Sequence, residues 1–387
     1  MDKRVYLLTT IAFVVGMAEL IIGGILDLVA EDLQITISQA GLSITIFALV
    51  FAISAPILLL VCSKIERKRL TIIGLVVFFV GNIIAVCSFN FELLILSRIV
   101  SAASGSLVVV LCINLASRIV EQAYRGRAIG LVVMGTSASL VLGLPIGVLL
   151  GNLFQWRTPF ILIAILTILL MIGVFLYMVQ VPPQKAIPLK EQLSTLKNNK
   201  LLFAHLTTFF FLAGHFTLYG YLTPYTKMML NFSGMTISIL YFVYGISAVS
   251  GGGIAGLAAD RFGLRRVVFI VITLLATTLF IIPFSVSIVS LFWVILIVWG
   301  ILSWAITPPV QTHILSLAQD TSDIQQSLNN AALHFGIAFG TFVGSIVIKF
   351  LSLEYNAHIG VVFILLSLIS AVISFRGEVK SLTEKPI

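Results

Sequence analysis

Charge is scarce in this chain of 387 residues: Asp, Glu, Lys and Arg make up 10% of it, against about 25% in ordinary soluble domains. With 59% hydrophobic residues and a mean hydropathy of +1.15, it cannot dress itself in a water-facing shell, which excludes a soluble globular domain and implies an integral membrane protein. Cysteine is scarce as well. Cys62, Cys87 and Cys112 fall in or at the ends of apolar runs without ligand-like spacing, so they read as packing residues, with neither disulfide nor metal implied. There is no Gly-x-x-x-x-Gly-Lys-Ser/Thr loop and no soluble stretch large enough to bind a nucleotide, so any uphill work must draw on an ion gradient rather than on ATP. The apolar runs also lack paired carboxylates, a Ser–His dyad at helical spacing and a His-Glu-x-x-His run, which argues against a membrane enzyme. A receptor would need an output domain, and both tails are short.

What the chain has in quantity is long apolar runs. Windows of about 20 residues, enough for a helix to cross a hydrocarbon core of about 30 Å, give twelve spans, near 5–28, 38–62, 70–89, 92–114, 128–150, 158–180, 200–223, 236–258, 267–287, 289–312, 326–349 and 357–375. The first follows only Met-Asp-Lys-Arg and is far longer than the apolar part of a signal peptide, so it is expected to remain as a membrane helix. The net charge of +8 does not point to a nucleic-acid partner, because the bases are sorted by side. With the N-terminus in the cytoplasm, 19 of the 23 Lys and Arg fall in inner segments, from Lys3 and Arg4 through Lys185 to Arg376, Lys380 and Lys385. The outer loops hold Arg157, Lys227 and Lys349, and Arg98 lies inside a span. That asymmetry predicts a multi-pass protein of the cell membrane with both termini cytoplasmic.

One acid interrupts the first run, VYLLTTIAFVVGMAELIIGGILDL (Val5 to Leu28). Glu19 sits past the midplane, where an acid costs roughly 2.5–3.5 kcal/mol, and its helical neighbours Ala12, Gly16 and Gly23 are small enough for other helices to come close. It is therefore expected to face protein, either as a structural acid paired permanently with a buried base or as a carrier of protons. Arg98 lies about 9 Å below the outer surface and Glu19 about 13 Å, counting about 1.5 Å per residue. The two are expected to form a proton-coupling pair: Glu19 alternates between a proton and a partner, Arg98 or the substrate, and Arg98 tunes release. The competing reading makes Arg98 a clamp on backbone carbonyls.

The runs divide into a bundle of six over residues 1–180, a cytoplasmic linker over 181–199, and a second bundle of six over 200–387 that ends in a short cytoplasmic tail. The linker region spaces Leu189, Leu193 and Leu196 at helical intervals among Lys and Gln, the pattern of a short amphipathic helix on the membrane surface. Equivalent places in the two bundles hold LLVCSKIERKR (Leu59 to Arg69) and GLAADRFGLRR (Gly256 to Arg266), turns matched in length and basic charge; repeated halves are how many secondary transporters are built. In the second copy Asp260, Arg261, Gly263, Arg265 and Arg266 resemble motif A of the major facilitator superfamily. Ser97 to Gly105 around Arg98, with Ala102 where glycine is usual, is similar to motif B of that family. GTSASLVLGLPIGVLLG (Gly135 to Gly151) resembles the antiporter motif C through Gly143, Pro145 and Gly147, without a direct Gly-Pro step. AELIIGGIL, SKIERKRL, LAGHFTLYGYLTPY, WGILSWAITP and SDIQQSLNNAA further resemble bacterial purine base and nucleoside efflux pumps within the drug:proton antiporter branch. The resemblance implies an all-helical major facilitator fold, twelve helices in two six-helix halves, that exports small molecules against entering protons and needs no cofactor beyond the proton gradient.

Planar heteroaromatic ligands want stacking faces with a few donors and acceptors at their edges. The candidates for that wall are His215, Tyr219 and Tyr221 in the seventh span, Tyr244 in the eighth, Trp299 and Trp304 in the tenth, and Asn329, Asn330 and His334 in the eleventh. His215 and His334 also titrate near neutral pH, which makes them coupling candidates, although an interior histidine satisfied by its neighbours is the commoner case. Pro308 and Pro309 are expected to break the tenth helix, and Pro145 with Gly143 and Gly147 to weaken the fifth. The expected activity is proton-coupled efflux of purine bases, nucleosides and their analogues; the alternative is a broad multidrug extruder for planar or amphipathic antibiotics. The expected partners are the small-molecule substrate, protons and the lipid bilayer, with the protein acting as a monomer.

Overall fold

The computed structural model describes residues 2–183 and 188–376. Lys185, Lys380 and Lys385 of the basic set, and the remainder of the tail, lie outside the described residues. Among the described residues, twelve helices are long and apolar enough to cross a membrane: α1 (Lys3–Gly24), α2 (Ile37–Val61), α3 (Arg67–Val86), α4 (Phe91–Arg118), α5 (Gln122–Leu153), α6 (Thr158–Tyr177), α7 (Asn199–Tyr219), α8 (Gly234–Phe262), α9 (Leu264–Ser285), α10 (Val289–Leu317), α11 (Gln319–Phe350) and α12 (Leu353–Ser374). The chain is a multi-pass membrane protein. With an even number of spans, its two ends share one side, the terminal face.

Local chemistry sets where the spans begin. Thr36 and Gln39 close a capping box at the head of α2, with Thr36 Oγ1 accepting from the Gln39 N–H at 3.1 Å and Gln39 Oε1 accepting from the Thr36 N–H at 3.0 Å. Asn90 accepts from the Leu93 N–H at 2.9 Å to start α4. Gly263, at φ +88°, turns the chain sharply between α8 and α9 on the terminal face. Asp260, Arg261, Arg265 and Arg266 stand exposed around it, Arg261 over the ring of Phe262 at 5.4 Å and Arg265 over Phe269 at 5.5 Å.

The matching turn in the first half does a different job. Glu66 caps α3 by accepting from the Lys68 and Arg69 N–H groups, both at 2.8 Å, and also accepts from the Val181 N–H at 2.7 Å. The Arg67 N–H donates to the Val181 carbonyl at 3.0 Å, so the start of the linker is strapped to this turn. Burial raises the Glu66 pKa, but the backbone donors of Val181, Lys68 and Arg69 outweigh it and hold the carboxyl below its ordinary range. Beyond the undescribed residues the linker forms the short helix Leu189–Ser194.

Four of the expected spans are interrupted, the seventh at Gly220 and Tyr221 ahead of a short helix Leu222–Leu230. The first apolar run is not one helix to Leu28: α1 stops at Gly24, Ile25 turns away at φ −122°, and Leu26–Asp32 forms a separate short helix. Gly23 and Gly24 are the weakest helix formers in the run, and a Cβ at Gly24 would overlap Val148, so the break and the close approach of α5 need the same residue type. In α5 the residues Ser139–Gly143 form a π turn, in which the Leu144 N–H reaches back to the Ser139 carbonyl just ahead of Pro145, whose nitrogen has no hydrogen to give. Helix α10 breaks at Ile306, and Pro308 sits in the first turn of its second segment, Thr307–Leu317.

Spans α1–α6 pack among themselves, α7–α12 do the same, and the halves meet chiefly where α2 lies on α11 and where α8 lies on the Ser139–Leu153 part of α5. Inside the first half, Gly135, Gly143, Gly147 and Gly151 of α5 face Thr9, Met17, Ile21 and Ile25 of α1 or just beyond it. A side chain at Gly135 would overlap the Thr9 carbonyl oxygen, so this stripe is what lets the two helices touch along their length.

Candidate functional site

Glu19, Arg98 and His334 converge at the centre of the bundle. The Glu19 carboxylate meets His334 Nε2 at 3.2 Å, so an acid of α1 pairs with a base of α11 in the opposite half. Arg98, 1% exposed, turns its guanidinium to the backbone of α1 instead: Nη1 donates to the Ala18 carbonyl at 2.8 Å and Nη2 to the Glu19 carbonyl at 3.4 Å. It also lies over the ring of Phe47 at 3.9 Å, Phe47 stacks on Phe51, and Phe51 stacks on His334 at 4.4 Å. Two residues of α2 thus close a ring of contacts around Glu19 that spacing along the chain did not reveal.

The hydrogen bonds of His334 decide where a proton can be. Its Nδ1 lies 2.9 Å from the Asn330 carbonyl, an acceptor only, so Nδ1 carries a hydrogen. Nε2 is then either a second N–H or a bare lone pair. Facing a carboxyl oxygen, a bare lone pair requires that Glu19 carry the hydrogen instead. A proton on either group satisfies the Glu19–His334 contact.

Beside the pair is a cavity of about 20 Å³, lined by Glu19, Leu20, Gly23 and Leu144 of the first half with Ile44, Phe47 and Ala48 of α2, and by Phe216, Tyr219, Gly220, Tyr241 and Ile337 of the second. That is room for little more than one water at about 10–15 Å³ each, so a larger ligand requires the walls to part. Of the expected aromatic wall, Tyr219 lines this cavity, and His215, Tyr244 and Trp299 pack against its ring. His215 stacks on Tyr219 at 5.0 Å and accepts at Nδ1 from the Trp299 indole N–H at 3.0 Å. Indole nitrogen only donates, so His215 carries its hydrogen on Nε2, which points to the Tyr244 hydroxyl at 3.3 Å. His215, Tyr244 and Trp299 therefore form a satisfied buried cluster, with Trp299 0% exposed. Tyr221 is also buried, its hydroxyl donating to the Thr341 carbonyl at 2.7 Å. Trp304 is half-buried.

Asn329 and Asn330 lie toward the terminal face from His334. Asn329 is buried and accepts from Thr208 Oγ1 at 2.8 Å; the Asn330 side chain is exposed. Next to Asn329, His205 Nε2 lies 3.0 Å from Gln325 Oε1, and Gln311, Gln325, Gln326 and Asn329 line a crevice of about 10 Å³.

On the face opposite the termini a set of bonds ties the halves together. Lys227 pairs with Asp27, Thr223 Oγ1 donates to the Gly24 carbonyl at 3.1 Å, and the Tyr241 hydroxyl lies 3.3 Å from the Gly23 carbonyl. The carbonyls that α1 frees where it breaks are the ones the second half reaches. Ser38 donates to the Ser345 carbonyl at 2.8 Å, and Thr45 and Thr341 join their hydroxyls at 2.9 Å. Asp27, Thr223 and Lys227 were not among the residues expected from the sequence; the only available sign was an acid beside a pair of glycines.

Comparison with known proteins agrees with this architecture. The chain is 30% identical over 377 residues to the MFS-type transporter YbcL of Bacillus subtilis, covering 97% of each. It is 28% identical over 360 residues, 92% of this chain and 91% of the other, to a protein of Helicobacter pylori strain P12 named a probable sugar efflux transporter. Its fold matches a bacterial homologue of the human lysosomal transporter Spinster, in an inward-facing and occupied conformation, with a TM-score of 0.79 at 15% identity over 96% of both chains. The model of one transporter family also aligns to residues 8–341, across both halves and the sites between them: the chain belongs to the Major Facilitator Superfamily.

Proposed function

We propose that this protein is a proton-coupled antiporter that exports small molecules, with purine bases, nucleosides and their analogues as favoured substrates. The observation that carries the reading is the Glu19–His334 contact, an acid and a base that meet between the two halves at the centre of the bundle. A proton held there stabilises one arrangement of the halves, and its release frees them to move, which is what coupling requires. Arg98 holds the turn of α1 that presents Glu19. The bias of basic residues toward the terminal face favours a cytoplasmic side for it; substrate would then enter past Asn330 and Asn329 and reach Glu19 and Tyr219 as the proton departs.

Two other substrate readings have specific support. The apolar cavity walls suit planar antibiotics, the basis of a multidrug reading, and the name of the Helicobacter relatives points to sugars. Inverted membrane vesicles test the coupling: Glu19→Gln, which keeps the shape and loses the titration, is expected to abolish proton-driven uptake while leaving substrate binding measurable. Uptake that remains proton-driven in this variant removes Glu19 from the role. A resistance panel in expressing cells separates the substrates, with 2-fluoroadenine-type purine analogues set against tetracyclines, quinolones, lipophilic cations and sugars. Resistance confined to the antibiotics would establish the multidrug reading instead.

A further inference from the structure

We infer that the Tyr219 hydroxyl is the specificity-determining donor of the central cavity, and that it selects flat heteroaromatic ligands carrying a ring acceptor atom over polyols and over rings without one. The inference rests on the reading that substrate is carried through this cavity, and adds the atom that reads it. Tyr219 lines the cavity yet is only 5% exposed, and among the described residues its hydroxyl oxygen has no hydrogen-bond partner. Buried hydroxyls without a partner are costly; those of Ser97, Ser101, Tyr225 and Ser238 also lack one among the described residues, but of the five only Tyr219 lines the cavity, where a ligand could complete it.

The ring cannot turn aside to find another partner. His215 stacks on it at 5.0 Å, Tyr244 lies against it at 4.9 Å, and Phe216, Trp299 and Tyr241 close on its edges at 5.3, 6.1 and 6.1 Å. The neighbouring polar groups are already committed: His215 to Trp299 and Tyr244, and the Tyr241 hydroxyl to Thr223 at 3.0 Å and the Gly23 carbonyl. That leaves the cavity with two side chains to address a ligand, the Glu19 carboxyl, of which Oε1 meets His334, and the Tyr219 hydroxyl, between the apolar faces of Leu20, Ile44, Phe47 and Phe216. An N–H on the ligand suits Glu19 and a ring nitrogen or carbonyl suits Tyr219. A monosaccharide, with a hydroxyl on nearly every carbon, would bury most of them unpaired against these walls.

Benzimidazole and indole make the discriminating pair, since both are flat with one N–H and only benzimidazole has a ring acceptor. Binding to the purified full-length protein in detergent is followed by isothermal titration calorimetry, with adenine and arabinose as further probes, for wild type and Tyr219→Phe. Wild type is expected to prefer benzimidazole to indole by about tenfold or more, and Tyr219→Phe to erase that preference and weaken adenine similarly. Because the substitution removes an unpaired buried hydroxyl, the melting temperature of the unliganded variant should stay the same or rise, which distinguishes loss of recognition from loss of fold. A preference for benzimidazole that survives Tyr219→Phe overturns the assignment of Tyr219 while leaving the heteroaromatic reading intact. Arabinose binding in place of all three heterocycles overturns that reading, and the inference with it.

Discussion

Arg98 bears on two readings of one position. A buried arginine in the fourth span could answer an acid or fasten a helix, and its two bonds go to carbonyls of α1. Arg98→Ala is expected to lower stability by about 2–3 kcal/mol, the scale for bonds from a charged donor. Arg98→Lys, which keeps the charge but lacks the fork that spans both carbonyls, should recover only part of that. Melting of purified protein measures both, and a wild-type melting temperature in Arg98→Ala would rule the clamp out. Gly135 offers a second test at this scale: Gly135→Val must displace the Thr9 carbonyl and should cost about 1–3 kcal/mol by overpacking, whereas Gly126→Val, which meets nothing within 4 Å, should not.

Elements explain what residues alone do not. The short helix Leu26–Asp32 exists because α1 breaks at its paired glycines, and it carries two acids to different partners. Asp27 faces Lys227 across the halves; Asp32 stays within the first half, accepting from Trp156 Nε1 at 2.9 Å and pairing with Arg157 at 2.8 Å. The Trp156 bond, followed by Arg157, holds the Asp32 carboxyl below its ordinary range against an opposing effect of burial. A depressed carboxyl pKa stabilises the fold at pH values above that of the unfolded chain, near 3.9, and the benefit fades as pH falls through the folded value. Wild type should therefore melt above Asp32→Asn at pH 7, and the gap should narrow below about pH 4. The Lys227 pair predicts a conformational effect instead: Lys227→Ala should weaken closure of the opposite face and raise labelling of a cysteine placed at Ser38 by reagent added from that side. Unchanged labelling would mean that the hydroxyl and carbonyl bonds suffice to hold the face shut.

At the scale of the whole molecule, the bonds between halves run from Glu19 and His334 at the centre to Asp27 and Lys227 on the opposite face, and transport by alternating access requires all of them to open. Thr45 and Thr341, with hydroxyls 2.9 Å apart on α2 and α11, are placed for a cross-link. After replacement of Cys62, Cys87 and Cys112, the double variant Thr45→Cys, Thr341→Cys is expected to stop transport when oxidised and regain it on reduction. Transport undiminished by a complete cross-link would show that α2 and α11 need not separate.

The amino-acid sequence alone determined the membrane class, the twelve spans and their division into two sets of six, because apolar length and charge placement are properties of the chain itself and need no partner to be read. It also exposed Glu19, since an acid in an apolar run has few places to go. Tertiary structure decided the rest. The base that faces Glu19 lies 315 positions away, at His334, and no local pattern encodes a contact between two halves that meet only after each has folded. The same holds for the aromatic residues: Tyr219, Tyr221, Tyr244 and Trp299 look alike along the chain, and only the direction each helix face takes in the bundle sets Tyr219 against the cavity with its hydroxyl unpaired and gives the others partners.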